Sequence, residues 1–414
     1  MSHVNHARLT ILRNETWMGK RFFTAPDGSL AKQANGVFVN GTATVHTVED
    51  TAALFRLLAT LTPNDALCLG VPKLLATAAS GSLAVTTRSY LPTKTTSGIQ
   101  YITRTKDDFD FSGGEGWLLI DHDTKDLPPH IQLRIDDLGG IFNALTIIWP
   151  ELKDADFIIK PSSSAGVRHV NDAPKVDKRM SFHMFVRLKR AADIPLALQN
   201  LQRRCWAAGL AYWQVSKSGQ LLERSIIDVT VGSPERLIFT SEPILEDGIV
   251  RDVAHVIHQA GIALAAPTLP LVGDWGRKRD IARYELKGPA AKQQASYVDL
   301  SIKRCMQDFA ISEVAARDIM SARILHKVLR DEDQLELANG HIMSVGSLLD
   351  SLHRGAKIPC ADPIEGRGYN PTAAAVIWDA THKTPALVSH AHGLVTLYQF
   401  ARFEPSFKFK GAKA

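Results

Sequence analysis

The chain has 414 residues, 45% of them hydrophobic and 22% charged, a balance that suits a soluble globular protein with room for two or three domains. Its four cysteines, Cys68, Cys205, Cys305 and Cys360, lie far apart with no CxxC pair, so spacing signals neither a disulfide framework nor a thiolate zinc site, as fits a reducing cytoplasm. The net charge of +5 is compatible with a polyanionic partner without requiring one; the amino terminus lacks the apolar core of a signal peptide, and no apolar run reads as a membrane span.

In chain order, "RLTILRN", "KRFFTAPDGSLAK" and "GVFVNGTATVHTV" alternate as strands, with a hairpin signal at Asp27-Gly28, before a helical pattern in "VEDTAALFRLLATLT". Two strands around a Gly-rich turn follow in "SGIQYITRTKDDFDFSGGEGWLLIDHD". Ile131, Ile135, Leu138, Phe142 and Leu145 recur at helical spacing and predict one helix over "HIQLRIDDLGGIFNALTII" despite its paired glycines. "DFIIK" and "MSFHMFVRLKR" read as strands. "IPLALQNLQRRCWAAGL" reads as an amphipathic helix ending at Gly209, and "RSIIDVTV" and "ERLIFTSEPIL" as further strands. The mixture predicts an α+β fold with mixed sheets. Around Ala260 the character changes to a Pro-containing linker, a basic stretch and two helical patterns, and from Leu335 a small strand-rich piece follows.

Side chains two apart on a strand share a face, so "LLIDHD" brings Asp121 and Asp123 together at its end. Like charges held that close repel, and a divalent cation of the magnesium or manganese kind is the simplest remedy; a solvated turn carrying two aspartates is the plain alternative. "SIIDVTV" sets Asp228 among β-branched residues as a third acid, where a hydrogen-bonded strand aspartate is the alternative. In "RMSFHMFVRL", Phe182, Met184, Val186 and Leu188 make one apolar face, leaving Arg179, Ser181 and His183 in a row on the other, a plausible clamp for phosphate oxygens. Arg236 adds a guanidinium in "SPERLIF".

An apolar strand ending in two acids one residue apart ("LLIDHD"), then a small residue, any residue and histidine ("SFH"), then an acid inside an apolar run ("IIDV") together resemble the motifs of the archaeo-eukaryotic primase superfamily, especially the primase domains of phage and plasmid primase–helicase proteins. The flanking "ITRTKDDFDF", "SSSAG" and "QVSKSGQLLERSIIDVTVGSPERLIF" extend the likeness over residues 95–245, and "DPIEGRGYNPTAAAV" with "SHAHG" looks like the segment that often follows in this mobile-element branch.

The resemblance implies a primase or primase–polymerase active in DNA replication. Asp121, Asp123 and Asp228 would bind two Mg2+ or Mn2+ ions as the catalytic set. Ser181 and His183 would hold the triphosphate of an incoming NTP or dNTP, with Arg179 and Arg236 as further phosphate contacts. Single-stranded DNA is the implied template, and a replicative helicase the implied partner, because primases act beside unwinding machinery. The branch usually continues into a helicase, yet no GxxxxGK[ST] phosphate-binding loop occurs in these residues: either the helicase is a separate chain or this one is a fragment. The expected organisation is a catalytic domain over 1–260, a helical connector over 261–334, a β-rich module over 335–405 and a flexible basic tail over 406–414.

Two rivals remain. A haloacid-dehalogenase-type phosphatase also ends a strand with two aspartates one residue apart, but its pattern wants threonine where this chain has Lys125. A non-catalytic initiator that keeps the primase fold to bind origin DNA is the other. His382, His390 and His392 are weighed as metal ligands against a hairpin with Gly393 at its turn, which is preferred. The stretch Arg277, Lys278, Arg279, Arg283 and Lys287, interleaved with Trp275 and Tyr284, tracks single-stranded template or is a solvated helix face.

Overall fold

The computed structural model describes residues 6–78, 80–87, 100–173, 180–253, 256–270, 273–378, 384–391 and 395–403. Arg179, His382, His392, Gly393 and the basic tail lie outside them. The fold is mixed α+β with several small sheets. The chain divides into two compact units, one of Met1–Tyr212 with Glu223–Ala282, the other of Trp213–Leu222 with Arg283–Ala414.

The first unit holds a five-stranded sheet in the order Asp65–Cys68, Ala7–Asn14, Asn40–Val48, Gly81–Thr86, Tyr101–Thr103, antiparallel except for its last pair. It also holds a four-stranded antiparallel sheet in the order Gly116–His122, Phe182–Leu188, Phe157–Pro161, Ile257–Gln259. The strand Gly116–His122 packs against both Ala7–Asn14 and the helix Ile194–Ala208, which explains why its apolar residues are buried without a break up to Asp121. Phe182–Leu188 is buried just as continuously, Phe185 included, so the strict alternation of its sequence does not mark a solvated face.

Three expectations are corrected. The single helix expected over 130–148 is two, Pro129–Asp137 and Ile141–Ile148, because Gly139 and Gly140 take φ values of 81° and 107° and their amides close back on Asp136 and Ile135. Asp228 is not in a strand: the strand ends at Ser225, and Asp228 caps a short 3-10 turn, Val229–Val231, by accepting from the amide of Thr230 at 2.8 Å. "ERLIFTSEPIL" contributes only an isolated bridge between Ile238 and Leu67 and the two-residue strand Ile244–Leu245. The hairpin at Asp27-Gly28 is present, joining Gly19–Thr24 to Leu30–Asn35, and the helix Ile194–Ala208 ends at Gly209 in the left-handed region.

In the second unit the helices Lys287–Phe309 and Glu313–Ser321 contribute Ile302, Cys305, Ala316 and Met320 to the same core as Leu335, Val376, Leu387 and Phe400 of the strand-rich segment. Its five-stranded sheet runs Val328–Leu329, Thr396–Phe400, Ala386–Ser389, Ala374–Ile377, Lys357–Cys360. The hairpin tip Trp213–Leu222 belongs here because Gly219 lies against the helix Lys287–Phe309: a Cβ on it would stand 2.6 Å from the amide nitrogen of Gln294.

Candidate active site

Antiparallel register sets Asp121 directly opposite His183, which on its other side faces Lys160. Residues opposed across such a pair share a face, so a carboxylate, an imidazole and an ammonium form one row across the sheet. Nε2 of His183 lies 3.7 Å from Oδ1 of Asp121. Burial, aided by the nearby charges of Lys20 and Lys160, pushes the His183 imidazole down to about 4, so near neutral pH the ring is neutral and the contact is not an ion pair. Its Nδ1 is buried without a hydrogen-bond partner among the described residues.

Asp123 stands just past the strand end, where its Oδ1 accepts from the Ser181 hydroxyl at 3.0 Å and from the amide of Lys125 at 2.9 Å. The Ser181 hydroxyl in turn accepts from the amide of Thr124 at 3.0 Å. Ser181 therefore fastens the acid-bearing turn to the neighbouring strand. Asp228 arrives from a distant segment, held by two hydrogen bonds: its own amide donates to the carbonyl of Asp121 at 2.9 Å, and Nδ1 of His122 lies 2.8 Å from the carbonyl of Ile226. A carbonyl oxygen can only accept, so Nδ1 of His122 carries a proton and donates, while burial lowers the pKa of the ring.

Burial first, and then the charges of Asp228 and Asp123, push the Asp121 carboxyl up to about 7. Lys20 and Arg236 oppose this shift. Lys20, on the strand Gly19–Thr24, donates to the Ser164 hydroxyl at 3.0 Å in the "SSSAG" turn. Lys160 donates to the carbonyl of Thr240 at 2.6 Å and lies 3.2 Å from Glu242. Arg236 is exposed, and its segment is seated where Gly70 leaves no room for a side chain: a Cβ there would lie 2.4 Å from Pro234.

The structure thus brings together Asp121, Asp123, Asp228, Ser181 and His183, and sets Arg236 close enough for its charge to act on Asp121. Sequence reasoning missed Lys20, Lys160 and His122. The parity of "DFIIK" carries a trace of Lys160, and the imidazole between two acids a trace of His122; nothing local marks Lys20.

Among the described residues no three of His, Cys, Asp and Glu stand together as a ready metal-ligand set. The donor chemistry nonetheless fits a hard divalent cation, since three carboxylates supply only oxygen and the raised Asp121 is the one whose charge a cation would restore. No helix among the described residues is long and apolar enough to cross a membrane. The chain matches no protein-family model, no curated protein and no solved structure.

Proposed function

We propose that the chain is a template-directed nucleotidyltransferase, a primase or primase–polymerase of a mobile element that joins an NTP or dNTP to a 3′-hydroxyl on single-stranded DNA in the cytoplasm, working with a replicative helicase. The observation that carries this reading is the hydrogen bond from Asp228 to the backbone of Asp121, which brings a third carboxylate from a remote segment beside the Asp121 and Asp123 pair, one strand away from His183.

Asp121, Asp123 and Asp228 would hold Mg2+ or Mn2+, which when bound lowers the pKa of an attacking hydroxyl and offsets charge on the phosphoryl group. The neutral His183, whose Nε2 lies 3.7 Å from Asp121, would stand beside a phosphate oxygen without adding charge. Lys20, Lys160 and Arg236 supply positive charge beside the acids, as an incoming polyphosphate requires. Arg179 joins them on the strength of its place two residues before Ser181. Ser181 acts on the acids by fixing Asp123.

The test is incubation with single-stranded DNA, labelled nucleotides and manganese, with products resolved by length with and without a primer. Extension by the native chain and none by Asp121→Ala is the expected result. DNA binding that persists in EDTA, with no incorporation under any metal, would replace this reading by that of an initiator.

A further inference from the structure

The second unit carries a cavity of about 600 Å³ between the helix Lys287–Phe309, the strand Gln334–Glu336 and the loop after Cys360. Three guanidinium groups line it, from Arg304, Arg323 and Arg367, interleaved with the carboxylates of Asp308, Glu336, Asp362 and Glu365. Arg323 is 3% exposed; one terminal nitrogen donates to the carbonyl of Pro363 at 2.8 Å and the other lies 3.2 Å from Asp333, but its Nε has no partner among the described residues. Arg304 lies 4.0 Å from Glu365 and Arg367 3.7 Å from Glu336, pairs too long for a good hydrogen bond, and the two side chains are 47% and 45% exposed at the mouth. Tyr369 and Phe309 give the rim two aromatic rings, 46% and 38% exposed.

The loop is held rigid from within. Both oxygens of Asp362 are committed, one to the amides of Ile364 and Glu365 at 2.8 Å, the other to the Ser389 hydroxyl at 2.5 Å. The glycines beyond it are open: a Cβ on Gly366 or Gly368 would meet nothing within 4 Å, so a ligand can approach the backbone there. The volume suits a molecule well beyond bare phosphate. The two guanidinium groups at the mouth can exchange loosely placed carboxylates for a phosphate that meets them at hydrogen-bond distance, exposed rings suit a planar partner, and the Glu336 carboxylate, released by Arg367 in that exchange, can accept from an exocyclic amine.

We propose that this cavity binds one nucleotide, its base against Tyr369 and its phosphate on Arg304 and Arg367. The site belongs to the second unit and the carboxylate cluster to the first, and the proposal does not rest on the function proposed for that cluster. The nucleotide comes either free or as one unit of a single strand.

The test is photo-crosslinking of the full chain in EDTA with 4-thiothymidine triphosphate in one arm and an oligodeoxythymidylate carrying 4-thiothymidine in the other, with labelled peptides located by mass spectrometry. Label between Ala361 and Tyr369 is expected, falling roughly tenfold or more in the Arg304→Ala/Arg367→Ala variant, in line with the loss of charge-assisted hydrogen bonds. Label with the triphosphate assigns a mononucleotide site, and label with the oligonucleotide alone a strand site. Equal melting temperatures of variant and native chain check that the fold is kept. No label in that segment from either probe, or label that the double substitution leaves unchanged, overturns the proposal; label around Gly116–Asp123 reports on the carboxylate cluster separately.

Discussion

The amide of Asp228 donates to the carbonyl of Asp121 at 2.9 Å, and the side chain of the very next residue, His122, returns the grip by donating to Ile226 at 2.8 Å. His122 touches no reacting group in this arrangement; it positions the third acid. His122→Leu leaves the Ile226 carbonyl without its partner in a buried setting and is expected to cost about 1–3 kcal/mol in urea denaturation, with nucleotide incorporation falling alongside. His122→Asn offers a donor near the place of Nδ1 and should recover much of both. A Leu variant as stable and active as the native chain removes this role.

Asp228→Asn separates charge from shape. The amide oxygen still accepts from Thr230, so the 3-10 turn survives, while one of the charges that raise Asp121 disappears. Thermal melting in EDTA should show stability equal to or above that of the native chain, and incorporation should fall by roughly 10²-fold or more. A variant that keeps its activity places the chemistry elsewhere.

His183 gives the pH dependence a sign. Its folded pKa lies near 4, below the ordinary 6.5, so the unfolded chain takes up a proton first as the solution is acidified. Its contribution is therefore complete above pH 6.5 and shrinks as pH falls toward 4, by about 3 kcal/mol in all. Denaturation of the native chain and of His183→Gln at a series of pH values should show their difference in stability narrowing over that window. A constant difference means that the imidazole is not held neutral by burial.

In the second unit, Arg323 and Asp333 form an ion pair at 3.2 Å with side chains 3% and 1% exposed, and Asp333 also accepts from the amide of Arg330. Asp333→Ala leaves a buried guanidinium without its counter-charge and should cost about 3–5 kcal/mol. Glu313 and Arg317, at 2.8 Å on a helix surface, are more than half exposed, and Glu313→Ala should leave the melting temperature unchanged within error. Equal effects from the two substitutions would contradict this assignment of burial.

The fold class and the two strands that carry the acids and the imidazole were legible because period-two patterning and like charges at a strand end are local signals, present in "LLIDHD" and "SFHMFV" themselves. Asp228 was found by its apolar neighbours but given the wrong backbone. Ile226, Ile227, Val229 and Val231 favour a strand by composition, yet the carboxylate takes the amide and hydroxyl of Thr230 and turns the chain. The paired glycines are visible in the sequence, but the helical spacing on either side outweighs them there, and only their two positive φ values make the break. Lys20 could not be read at all: it opens a hairpin that reads as ordinary surface, and only the folding of that hairpin beside the "SSSAG" turn gives its ammonium a partner in Ser164.

The hairpin tip Trp213–Leu222 carries a practical corollary for anyone dissecting this molecule. Because its flanks count with the first unit and its tip with the second, the chain crosses between them after residues 212, 222 and 282. A truncation at residue 282 accordingly deprives the hairpin tip of the helix on which Gly219 is seated, and a fragment starting at residue 283 lacks the tip that should cover that helix. A shortened clone that misbehaves thus says little about which half carries the activity.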